Sequence, residues 1–97
     1  MKIRRTETDG VLTLSLEGWL DAKSAPELEM ELEGVSPEKY KSLVFECGDL
    51  EFISSAGIRM IFLSHKQMDG NFKLRNVSDE IIDILNFTGM LQRIQVE

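Results

Sequence analysis

Leucines at 12, 14 and 16 alternate with Val11, Thr13 and Ser15 along "VLTLSLEG". A period of two predicts a strand with one apolar face. Asp9-Gly10, just before it, is a two-residue hairpin signal, because both positions accept positive φ. Residues 2–8 are polar and weakly strand-like, so the chain is expected to open with an antiparallel hairpin. "ELEMELE", residues 27–33, also alternates, yet Ala25, Leu28, Leu32 and Val35 fall at helical spacing. Three signals favour a helix over about 24–33. Ser24 and Glu27 read as a capping box, Pro26 lies in the first turn, and Gly34 supplies a stop. Ser36-Pro37 then starts a turn.

"SLVFE", residues 42–46, reads as a short buried strand. "SSAGIRMIFLSHKQM" follows as a helix with Ile58, Ile61, Phe62 and His65 along one stripe, ended by Asp69-Gly70-Asn71. In "FKLR", Phe72 and Leu74 share one face of a strand, and Lys73 and Arg75 the other. Ser78 caps the helix "DEIIDILNFTG", closed by Gly89, and "RIQV" forms a short last strand. The order β-β-α-β-α-β-α-β implies parallel pairing after the hairpin, through right-handed crossovers. Thr13, Ser15, Lys73 and Arg75 interrupt the apolar runs that a sheet covered on both faces would show. The reading is a single α/β domain over residues 1–97, with a mixed sheet and helices mainly on one face.

Ninety-seven residues suffice for one core and not for two. A 42% hydrophobic content suits a folded domain, and a net charge of −6 argues against a nucleic-acid partner. One cysteine, Cys47, excludes an internal disulfide, and with the single His65 it makes no metal cluster without carboxylates. The N-terminus lacks a signal-peptide core, and no run is long enough to span a bilayer. A cytoplasmic protein with no membrane insertion, no cofactor and no metal is expected.

In such a sheet, the loops leaving the carboxyl ends of the parallel strands gather at one rim. They are about 17–24, 46–55 and 75–78. The longest, "ECGDLEFIS", carries Glu46, Asp49 and Glu51 and ends in Ser54-Ser55. Catalysis by either serine would need a base. His65 lies ten residues along the same helix, roughly 15 Å from Ser55, and the G-x-S-x-G elbow is missing. No catalytic residue is assigned, and no phosphate-cradling glycine loop appears. Two readings stay open on the residues alone. Ser54 is a helix N-cap and nothing more, or Ser55 beside it accepts a phosphate at the positive helix end.

The stretches "SLVFECGDLEFISSAGIRMIFLSHKQM" and "FKLRNVSDEIIDILNFTGM", with "GWLDAKSAPELE" before them, resemble the STAS domain family of bacterial anti-sigma factor antagonists. The resemblance spans nearly the whole chain and implies a mixed four- to five-stranded sheet. It also implies two partners: an anti-sigma factor serine kinase of the GHKL type, which the unphosphorylated domain binds, and a serine phosphatase. Matching the family's acceptor motif on Gly57 implies phosphorylation at Ser55, with Ser54 as the alternative. Ser54 stands where the family has aspartate, and Glu46 where it often has Asp or Asn. With the chain ending at Glu97, the family's C-terminal helix is expected to be absent or trimmed. The expected partner surface comprises Trp19, Asp21, Ala22, Lys23, Asp49, Phe52, Ile53, Ser54, Ser55, Ala56, Gly57 and Asn76. Phe52 and Ile53 are read either as anchors or as core beneath the helix. The alternative function is a STAS-like regulatory subunit of a transporter ATPase, not phosphorylated.

The remaining conspicuous residues have plainer readings. Cys47 is expected as a buried thiol, His65 at the sheet-facing edge of its helix, and the glutamates of 27–33 on a solvated face. Arg59, one turn after Ser55, is a surface residue or a phosphate partner.

Overall fold

In the computed structural model, which describes all residues from Met1 to Glu97, the chain opens with β1 (Lys2–Thr8) and β2 (Val11–Leu20). Asp9 and Gly10 both take positive φ, at 52° and 82°, and turn them into an antiparallel pair. There follow α1 (Ala25–Glu31), β3 (Ser42–Ile53), α2 (Ser55–Gln67), β4 (Phe72–Arg75), α3 (Asp79–Phe87) and β5 (Gln95–Val96). One turn of 3-10 helix, Met90–Gln92, precedes β5 and was not legible in the sequence. The sheet has five strands in the order β1-β2-β3-β4-β5, parallel from β2 onward.

Alternation places the core. Leu12, Leu14 and Leu16 of β2, Leu43 and Phe45 of β3, and Phe72 and Leu74 of β4 form one buried cluster. Leu28 of α1, Met60 and Ile61 of α2, and Ile81 and Leu85 of α3 belong to the same cluster, so all three helices cover the same sheet face. The other face carries Thr13, Ser15, Val44, Glu46, Lys73 and Arg75, the register partners of one another. Glu97 bridges Lys73 and Arg75 there, at 2.7 and 3.3 Å.

Three sequence expectations need correction. First, Ser24 makes no capping box with Glu27. It already has helical φ and ψ, and its hydroxyl donates to the Trp19 carbonyl at 2.7 Å. The chain enters α1 through a turn held by Asp21, whose Oδ1 accepts from the N–H groups of Lys23 and Ser24. Second, the buried stripe of α2 is Gly57, Met60, Ile61, Ser64 and Met68. Phe62 is left exposed and His65 half-buried. Small residues fill the close helix–sheet contact, so the most apolar stripe is not the innermost one. Third, most of the supposed loop after residue 46 is strand, because β3 continues to Ile53. The glutamates of α1 are exposed except Glu31, which is half-buried under the guanidinium of Arg5, 3.5 Å away.

Candidate docking and phosphate-acceptor rim

The hidden length of β3 has a specific cause. Between the pairs Ser15–Glu46 and Glu17–Asp49, β3 advances three residues to the two of β2. Between Gly18–Leu50 and Trp19–Phe52 it advances two residues to one. Each extra residue is a bulge, which re-aims the side chains that follow. Leu50 and Ile53, three apart, therefore both point into the core, and the period of two is lost. Phe52 turns outward opposite Trp19. Their ring centroids are 4.8 Å apart, tilted by 41°. Trp19 is 56% exposed and Phe52 40%, an aromatic pair of a kind more usual in interfaces than on free surfaces.

One residue later the chain enters α2. The Ser54 N–H donates to the Leu20 carbonyl at 2.9 Å, which ties the helix start to the end of β2. Ser54 keeps extended backbone angles, and its hydroxyl accepts from the Gly57 N–H at 3.4 Å. Ser54 is therefore the N-cap, in the place where the resemblance has aspartate. Ser55 is the first helical residue and is exposed. No acid lies in the first turn of α2, so its unpaired N–H groups keep their partial positive charge. Gly57 is required for this arrangement. A Cβ there would sit 2.6 Å from the Leu20 carbonyl oxygen and 2.7 Å from Cγ1 of Ile53.

The expected surface residues divide accordingly. Ile53 and Gly57 are buried; they set the height of the helix over the sheet and offer nothing to a partner. Ile53 is thus core and Phe52 is not. Ala56 and Ser54 are half-buried, and Ala22, Lys23 and Asp49 are exposed. Asp21 is half-buried in the turn before α1. The Ser24 N–H holds its carboxyl below the usual carboxylate range, and the Lys23 N–H adds to it against the opposing effect of burial. Sequence reasoning missed this turn-holding role. The spacing Asp21-x-x-Ser24, a side chain able to accept from N–H groups two and three residues on, was its signal.

Asn76 has left-handed backbone angles, with φ of 56°, and faces β3. Its amide donates to Glu46 Oε1 at 2.6 Å, and its N–H donates to the Glu97 carbonyl. Its bonds join the middle of β3 to the residue that follows β5, and none reaches Ser54 or Ser55. Glu46 Oε2 is buried without a partner in the chain. Cys47 lies in the core, its thiol pushed up to about 12 by burial and, second, by the Glu46 charge. It is in the protonated, unreactive form at neutral pH. Arg59 is exposed and belongs to no ion pair. No cluster of three or more His, Cys, Asp or Glu side chains could hold a metal ion, and no helix is long and apolar enough to cross a membrane.

A five-stranded mixed sheet with three helices on one face, and a serine-capped helix rising from a bulged central strand, is the architecture of a STAS domain. The family model for the STAS domain matches residues 2–97, and the chain belongs to that family. It is 30% identical, over 94 residues, to BtrV of Bordetella bronchiseptica, named as a candidate anti-sigma factor antagonist. That match covers 94% of this chain and 81% of BtrV. The fold is shared with an anti-sigma factor antagonist from Mycobacterium paratuberculosis, at a TM-score of 0.87 and 21% identity over 98% of this chain and 83% of that one. It is shared too with the Bacillus anti-sigma factor antagonist SpoIIAA. The unphosphorylated form gives a TM-score of 0.83 at 15% identity, covering 99% of this chain and 88% of that one. The phosphorylated form of SpoIIAA gives 0.77 at the same identity, over 99% and 91% of the two chains.

Proposed function

We propose that this chain is an anti-sigma factor antagonist that binds a GHKL-type serine kinase through the Trp19–Phe52 rim and is released when the kinase phosphorylates Ser55. The observation that carries the reading is the division of labour between two adjacent serines. Ser54 is engaged as the cap, and Ser55 stands exposed at the first helical position, three residues after Phe52 of the exposed Trp19–Phe52 pair. Family membership and the likeness to BtrV support it. In the reaction the Ser55 hydroxyl oxygen attacks the γ-phosphorus of ATP. The bond to ADP breaks, ADP leaves, and the hydroxyl proton passes to a base on the kinase. The chain is a substrate here and performs no chemistry of its own. A phosphatase restores the hydroxyl by hydrolysis.

Release follows from local charge. The helix end already favours an anion, so the phosphate leaves α2 in place. It adds about −1.5 to −2 charge to a rim that carries Asp21, Asp49 and Glu51, and it must be desolvated on docking. About 1.4 kcal/mol of lost binding is already tenfold in affinity.

The test is incubation with a GHKL anti-sigma kinase of the same organism and ATP, followed by peptide mapping. One phosphate on Ser55, none on Ser55→Ala and retained phosphorylation of Ser54→Ala are expected. Ser55→Asp should bind the kinase at least about tenfold more weakly, with a melting temperature unchanged or slightly raised. Phosphate on Ser54 alone would overturn the assignment of the acceptor. Recovery of a transporter ATPase as the main partner, with no phosphate on either serine, would favour the regulatory subunit instead.

A further inference from the structure

A cleft of about 420 Å³ opens between α2 and the segment joining α3 to β5, within the size range of small-ligand sites. It is lined by Phe62, His65, Met90, Gln92, Arg93 and Ile94, together with Thr88 and Gly89. It touches none of the rim residues. His65 stands ten residues along α2 from Ser55, roughly 15 Å away. The lining contains no acid, in a chain whose net charge is −6.

Its polar side chains include several donors and no carboxylate. Arg93 belongs to none of the ion pairs, which join Arg5, Lys73 and Arg75 to glutamates. His65 Nδ1 is buried with no partner. A buried N–H without an acceptor costs the full desolvation of that group, so in the neutral ring the proton belongs on Nε2, the less enclosed nitrogen. His65 then offers an N–H, as do the Gln92 amide and the Arg93 guanidinium. The Thr88 hydroxyl is already engaged with the Leu85 carbonyl and the Met90 N–H. Phe62, Met90 and Ile94 supply an apolar wall. One fixed cation, further N–H donors and an apolar wall fit a singly charged anion with an apolar body better than a dianionic phosphate.

The geometry points to this cleft as a binding site for a small organic carboxylate, held by Arg93 and the His65 imidazole with its apolar part against Phe62 and Ile94. This site is independent of the reading given to Ser55, and the unphosphorylated chain suffices to test it.

The experiment is an amide NMR titration with three probes: octanoate, octanol and inorganic phosphate. Octanoate should give saturable shifts at Phe62, His65 and Met90–Ile94, and the other two should bind at least about tenfold more weakly. Arg93→Gln should weaken octanoate about tenfold or more with no change in melting temperature, because the Arg93 side chain is exposed and joins no ion pair within the chain. Imidazole nitrogen shifts should place the neutral-ring proton on Nε2. Equal binding of phosphate would reduce the cleft to an unspecific cation, and equal binding of octanol to an apolar groove. Either result overturns the proposal, as does the absence of saturable shifts at about 10 mM octanoate, or an Arg93→Gln protein that binds as tightly as the parent.

Discussion

Two helices rise from the same rim of the sheet, and both begin with a serine. At α2, Ser54 accepts from the Gly57 N–H at 3.4 Å; at α3, Ser78 accepts from the Ile81 N–H at 3.3 Å. The caps are the same device, and the first turns differ. α3 continues with Asp79 and Glu80, whose carboxylates answer the positive helix end. α2 continues with Ser55 and Ala56, and its first turn holds no acid. One helix start is electrostatically complete within the chain, and the other is left open to an anion from outside. A cap therefore marks a helix start without marking a function. The proposed function rests on the charge omitted beside the cap and on what stands next to it. At α2 the neighbours are an exposed Trp19 and Phe52 and a helix pressed onto the Leu20 carbonyl.

The contrast can be broken hardest at Gly57. Ala at this position would force α2 away from the Leu20 carbonyl and Ile53, costing about 2–3 kcal/mol. Urea unfolding should show the loss. The equivalent change in α3, Ile81→Ala, should cost a similar amount, about 2–4 kcal/mol, for the opposite reason: a cavity in the core in place of a clash. A Gly57→Ala protein as stable as the parent would mean that the helix start is not pinned to β2.

Smaller and more symmetrical is the effect of the caps. Ser54→Ala and Ser78→Ala should each lower stability by about 1 kcal/mol. Only the first change lies on the proposed docking rim, so a kinase-binding assay should separate two substitutions that thermal melting does not. The smallest effect tests the charge difference itself. Asp79→Asn with Glu80→Gln should destabilise by a few tenths of a kcal/mol for each charge removed, an effect that fades with added salt. Ala56→Glu should stabilise α2 by a similar amount. Opposite signs at the two helices, read from melting curves at low salt, are the expected outcome. Equal signs would remove the distinction drawn between them.

What sequence alone determined is local. The hairpin at Asp9-Gly10 follows from two residues tolerant of positive φ between strands of period two. The Ser78 cap and the alternation in "FKLR" are likewise properties of neighbours along the chain, and each was legible. Ser54-Ser55 at a helix start, with Ser54 able to cap, was legible for the same reason. So was family membership, because the order of motifs is a one-dimensional fact. Tertiary structure decided the rest. Ser24 looked like a cap, but the Trp19 carbonyl, brought near by the turn at Asp21, drew its hydroxyl away. The far half of β3 looked like a loop, because two bulges break its alternation, and a bulge exists only relative to a partner strand. Which of Phe52 and Ile53 faces solvent was settled by that same pairing. The buried stripe of α2 was set by how closely the helix could approach β2, where a glycine and a serine outrank a phenylalanine. Hydrogen bonds and φ preferences act over a few residues and can be read from the sequence. Strand register and helix height depend on residues far apart in the chain and became visible only once the sheet was assembled.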